Sequence, residues 1–344
     1  VRSTFLVLFV CLLVSCNSIR YVGIETYNPA VITFPTEVEE LLVVNNAVPQ
    51  HPESGYVYKL LGAVQDSAQA SADSALFDAC RALGKAIVDA NYFKDVLLYH
   101  YPTRIDNSFY SDVKLTPERV QVLCDENATD AIISFDRLLF DTQKEIIDLA
   151  AEGVVGKIRV EIKGVVRAYL PGRQSPMVTV MVSDSLFWEE YASRPDVLNL
   201  FLPQPDDALR IAGDYIGEQL YRHFVPHWRN ETRFYFTHSN SRWKEALAYT
   251  TKQKWEEAGE RWKMIHEVSS GWKGQAQSAS NVALCLEMQN QFKEAYEWVE
   301  KAKALYRQYV PEENRQRQLV EAYAVVLLER QRDDKKLDLQ FGEE

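Results

Sequence analysis

The chain has 344 residues, 47% hydrophobic, 12% aromatic and 25% charged, which is the composition of a folded protein long enough for two domains. Asp and Glu outnumber Lys and Arg by 49 to 38, and the net charge of -11 excludes nucleic acid as a partner, because phosphate binding needs a concentrated basic face. The five cysteines show neither metal-ligand spacing nor a disulfide framework, and no cofactor is expected.

Phe5 to Val14 is almost purely apolar and runs into Leu13-Val14-Ser15-Cys16. A run of about ten residues has the length of a signal-peptide core and is too short to span a bilayer, which takes about 18. Small residues before a cysteine at the end of such a run resemble the lipobox of bacterial lipoproteins. The resemblance implies cleavage before Cys16, lipidation of its sulfur, and a mature protein held on a membrane by its amino terminus. The following Asn17-Ser18-Ile19-Arg20 lacks the acidic residues that some surface-exported lipoproteins of the Bacteroidota carry there. The expected location is therefore the cell envelope, anchored to the outer membrane and facing the periplasm.

The next segment, 17–238, reads as one α/β domain. Tyr21 to Thr26 is strand-like. Leu41 to Val44, bounded by Asn45 and Asn46, is a continuous apolar run of the kind buried on both faces of a sheet. A loop with Pro49, Pro52 and Gly55 follows. Gln69 to Asn91 predicts a helix, with Leu76, Cys80, Leu83 and Ile87 along one stripe. Asp95 to His100 is a second buried strand. Thr116-Pro117-Glu118 starts a helix that stops near Asn127, and Asp130 to Asp136 is a third strand. This alternation predicts a parallel centre with right-handed crossovers. Lys157 to Tyr169 then alternates apolar with charged residues, turns at Pro171-Gly172, and returns as Met177 to Phe187, an antiparallel hairpin. Asp206 to His223 is a further helix.

From residue 239 the sequence is helical and self-similar. Ala246, Trp255, Ala258 and Trp262 match Ala283, Phe292, Ala295 and Val299 at an offset of 37 residues. The spacing resembles tetratricopeptide repeats, in which small residues let the two helices of a hairpin cross closely. Glu313 to Arg330 predicts a capping helix, and the charged tail from Gln331 is expected to fray. The fold class is thus α+β: a mixed sheet with a parallel centre and an antiparallel hairpin, followed by an all-α tetratricopeptide-like domain over 239–344. The layout as a whole resembles a family of Bacteroidota lipoproteins of unknown function, in the lipobox, Val43-Val44-Asn45-Asn46, Thr129 to Ile133, the Pro226-His227-Trp228 to Tyr235 junction and the repeats. No activity comes with that resemblance.

No motif brings catalytic groups together. His223 and His227 are four apart, but Pro226 breaks the helical face they would share, and no acid lies between them. Gly153-Val154-Val155-Gly156-Lys157 lacks the glycine spacing of a phosphate loop. Two features suggest binding. Asn45, Asn46 and Asp136 fall at the carboxyl ends of parallel strands, where open α/β sheets place a ligand crevice; the same residues also suit turn caps. Five of the seven tryptophans lie between Trp243 and Trp298. Trp255 and Trp262 occupy repeat-core positions, whereas Trp243, Trp272 and Trp298 fit the core less well and are candidates to face a partner. The sequence supports a non-enzymatic, lipid-anchored binding or scaffold module for a protein partner, with a glycan-binding envelope lipoprotein as the alternative.

Overall fold

The computed structural model describes residues 19–65 and 69–342, so the expected signal segment and Cys16 lie outside the described residues. In chain order the strands are β1 (Ile19–Asn28), β2 (Glu40–Asn45), β3 (Tyr56–Leu60), β4 (Ala63–Val64), β5 (Asp95–Leu98), β6 (Ala131–Asp148), β7 (Val154–Tyr169), β8 (Val178–Ala192) and β9 (His227–Phe236). The helices are α1 (Asp73–Asp89), α2 (Pro117–Asn127), α3 (Pro195–Leu198), α4 (Pro205–Leu220), α5 (Ser241–Thr251), α6 (Trp255–Val268), α7 (Trp272–Glu287), α8 (Phe292–Tyr309) and α9 (Arg315–Phe341). They form two compact units: one of 19–28 with Trp228–Asp338, the other of Pro29–His227 with 339–342.

The second of these units is built on a seven-stranded mixed sheet. β2 lies between β5 and the start of β6, parallel to both. Its four apolar residues are closed to solvent on both faces: Leu41 and Val43 pack on the side of α1, Leu42 and Val44 on the side of α2. That two-sided burial is why the run carries no polar alternation. β6 is far longer than its apolar start suggests. β7 lines the whole of one edge in antiparallel register, and β2 and β3 share the other edge end to end. β8 completes the expected hairpin with β7 through a turn at Gly172, whose φ is +75°. The loop expected after Pro49 contains β3 and β4, with β3 parallel to Thr142–Ile146.

α1 and α4 pack together on one face of this sheet. Their backbones approach so closely that a Cβ at Gly213 would collide with the Ala75 carbonyl oxygen, and one at Gly217 with that of Ala79. α2 covers part of the opposite face. It starts as expected, with the Thr116 hydroxyl accepting from the Arg119 amide and Pro117 at the first helical position, and it stops at Ala128 in the left-handed conformation.

In the other unit, the strand-like segment near the amino terminus does not join the large sheet. β1 pairs with β9, and Ile19, Phe234 and Phe236 pack into the core of the helices. The expected single domain over 17–238 is corrected in this respect: both of its ends belong with the helical unit. α5 to α8 form two successive helical hairpins in a repeat-like arrangement, and the matched positions Ala246, Ala258, Trp262, Ala283, Ala295 and Val299 are all fully buried. The Asn281 side chain donates to the Phe236 carbonyl at 2.9 Å and accepts from its amide at 2.8 Å, so an α7 amide group imitates a strand partner for the end of β9. α9 continues to Phe341, where a frayed tail was expected from Gln331. The burial of Gln340, whose side chain donates to the carbonyls of Ala30 and Ile32 and accepts from the Ala30 amide, accounts for the order of that end.

Candidate functional site

Asn46 and Asp136 meet at the carboxyl end of β2, and a β-bulge brings them together. Phe135 pairs with Val166 and Arg137 with Val165, which leaves Asp136 without a partner on β7. The extra residue swings its carboxylate towards Asn46. One carboxylate oxygen accepts from Asn46 Nδ2 at 3.0 Å and from Ser134 Oγ at 2.7 Å. The other accepts from Arg167 Nη1 at 2.7 Å and from the Tyr169 hydroxyl. Asp136 and Ser134 are completely buried, and Asn46, Arg167 and Tyr169 nearly so.

The segment after β5 closes over this cluster. Asn46 donates to the Val113 carbonyl at 2.7 Å and accepts from Thr103 Oγ1 at 2.7 Å. Arg167 reaches the same segment, donating to the Asp112 carboxylate at 2.6 Å and to its carbonyl at 3.1 Å. Arg104 stitches the segment to itself through Asp106 and the carbonyls of Ser108 and Ser111. Asn45 caps its own turn, accepting from the Ala47 amide at 3.1 Å. The space outside the strand ends, where a ligand was expected, is filled by the chain itself.

The electrostatics agree with a closed polar knot. Burial pushes the Tyr169 phenol well above its usual range, and the Asp136 carboxylate adds to the shift. Burial also pulls the Arg167 guanidinium down, but the hydrogen bonds to Asp136 and Asp112 outweigh it and the net shift is upward. The hydrogen bond from Arg167 holds the Asp112 carboxyl below the ordinary carboxylate range. Arg167 and Tyr169 are the members that reasoning from strand ends missed. They sit two apart on β7, as any same-face pair on a strand does, so their spacing carries no signal.

The three candidate tryptophans divide. Trp243 is only 5% exposed, its ring set edge-on to Trp262 at 5.0 Å and to His238 at 4.2 Å, so the expectation that it faces a partner is corrected: it fills the core between α5 and α6. Trp272 is half-buried and stacks flat on Tyr309 at 5.1 Å. Trp298 is half-buried, with the Lys301 ammonium 3.8 Å above its ring and His266 at its edge. Each of these two rings thus has one face engaged within the unit.

Burial settles the cysteines as well. Cys80 lies in the cluster on the α1 face of the sheet and Cys124 in the one on the α2 face, so the sheet separates them and both are free thiols. Among the described residues no group of three or more His, Cys, Asp or Glu is placed to hold a metal ion, and no helix is long and apolar enough to cross a membrane.

Comparison with known families assigns both units. Residues 38–236, more than half of the chain, match the family described as Domain of unknown function (DUF8603). The chain belongs to the DUF8603 family. Residues 244–329 match a second family, Domain of unknown function (DUF6340). The DUF8603 match runs from just before β2 to the end of β9, and so includes the Asp136 cluster; the DUF6340 match covers α5 to α8 and much of α9. No curated protein matches the chain.

Proposed function

We propose that the chain is a non-enzymatic, lipid-anchored binding module of the cell envelope, and that its helical repeats present a surface to a protein partner. The observation that carries this reading is the way the repeats are built. Of the positions that recur at 37 residues, all but the half-buried Trp255 are inward, which leaves the outer helix faces free to specify a partner without disturbing the core. The polar cluster at Asp136 supports it too, since each carboxylate oxygen already accepts two hydrogen bonds within the protein. The burial of Trp243 and the engaged faces of Trp272 and Trp298 weigh against a flat sugar-binding platform.

Crosslinking in the native envelope, followed by purification of the full chain, tests the partner. Capture of one specific protein, lost when charges on the outer faces of α6 and α8 are reversed in a variant of unchanged helicity, is the expected result. Recovery of no specific protein from intact membranes would end the proposal. The anchor is tested separately by mass spectrometry of the mature amino terminus. An acylated Cys16 is expected, and an unmodified terminus would remove the anchor and the outer-membrane, periplasm-facing location together.

A further inference from the structure

The helical unit contains an open cavity of about 520 Å³, within the range of small-ligand sites. Its lining has a charge opposite to that of the protein. Acids outnumber bases 49 to 38 in the chain, yet no Asp or Glu lines this cavity, while Arg242 and Lys273 both do. Neither cation forms an ion pair or hydrogen bond with a described residue, in a chain where most arginines have carboxylate partners. The hydroxyls of Ser241 and Ser270 also border the cavity without partners among the described residues, and the buried Trp243 ring, in edge contact with half-buried His238, forms part of its wall. Donors therefore converge from two separate chain segments, the junction into α5 and the one into α7. Gly271, at the cap of α7, has no side-chain oxygen to cover the first amides of that helix.

We propose that this cavity binds a phosphate group, either free or carried on a small molecule or lipid headgroup. Two cations and two hydroxyls arranged around a volume suit a tetrahedral oxyanion, which accepts from several directions; a planar carboxylate uses fewer. The site depends on the helical unit alone and stands whether or not a protein partner is found.

Calorimetric titration of the full chain with inorganic phosphate at constant ionic strength tests it, with chloride and acetate as controls. Saturable 1:1 binding is expected, weakened at least tenfold in the double variant Arg242→Gln/Lys273→Gln, whose helicity by circular dichroism should be unchanged because both side chains lie on the surface. Vesicles of phosphatidylglycerol and of phosphatidylcholine identify the source. Competition between phosphatidylglycerol vesicles and inorganic phosphate, lost in the double variant, assigns a headgroup; phosphate binding without vesicle competition assigns a soluble ligand. Equal responses to chloride and phosphate, vesicle binding without phosphate binding, or unchanged affinity in the double variant would each overturn the proposal.

Discussion

The Asp136 carboxylate meets the Arg167 guanidinium at 2.7 Å, with the aspartate side chain wholly closed to solvent and the arginine 6% exposed. Removing one member of such a pair leaves the other charged in a medium that solvates it poorly. Asp136→Ala should therefore cost about 3–5 kcal/mol in stability, and Asp136→Asn less, because the amide can still accept from Ser134 or Asn46. Urea unfolding of the two variants measures the difference. A loss under about 1 kcal/mol for Asp136→Ala, the size of an ordinary surface change, would mean that the cluster is not closed as described.

The loop over this cluster should hold well into acid. Arg104 holds Asp106 down to about 2, and Arg167 holds Asp112 below its usual value. A carboxyl whose folded pKa is depressed contributes stability that is complete above its unfolded value and is lost as the pH falls through the folded one. Amide exchange across residues 103–115 should thus stay slow near pH 4 and accelerate as the pH approaches 2. Arg104→Gln should move that loss upward towards the ordinary carboxylate range, and an unmoved profile would rule Arg104 out as its cause.

The approach of α4 to α1 leaves no room for a methyl group. Gly217→Ala places a Cβ against the Ala79 carbonyl and the Ala82 side chain. Helix propensity alone favours alanine by about 1 kcal/mol. Overpacking should nevertheless win, for a net loss of about 1–3 kcal/mol by thermal or urea unfolding. Gly172→Ala, in open space but with a φ of +75°, separates backbone strain from crowding.

Burial pushes the Cys285 thiol up to about 12, and raises those of Cys80 and Cys124 as well. All three should remain protonated and unreactive towards a disulfide reagent at pH 8, and become modified only on unfolding. Rapid labelling of any one of them in the native chain would show that its helix opens locally.

Much of the fold is legible in the sequence, and the parts that are not share a physical cause. β2 is one unbroken apolar run, and α1, α2 and the β7–β8 hairpin each keep one period along their length. β6 does not, because the bulge at Asp136 inverts its phase: Ala131, Ile133 and Phe135 face the α1 side before it, and Leu138, Phe140 and Ile146 after it. A pattern of period two that slips by one residue looks like the end of a strand. The pairing of β1 with β9 leaves no local trace at all. At the polar cluster, Asn46 and Asp136 could be found from the strand ends, but Arg167 could not, since its carboxylate partners Asp112 and Asp136 are distant in sequence.

The pairing of β1 with β9 also makes Pro29–His227, the bulk of the sheet-bearing unit, an insertion. Translation delivers roughly 200 residues, Pro29–His227, between the two mates of the small sheet, so Ile19–Asn28 must stay unclaimed until β9 is synthesised. Severing the polypeptide once at residue 238 would leave both strands on the fragment that lacks α5 to α9, parting Ile19, Phe234 and Phe236 from the helices whose core they fill. Excising Pro29–His227 and joining Asn28 to Trp228 directly is the division that keeps both mates with those helices.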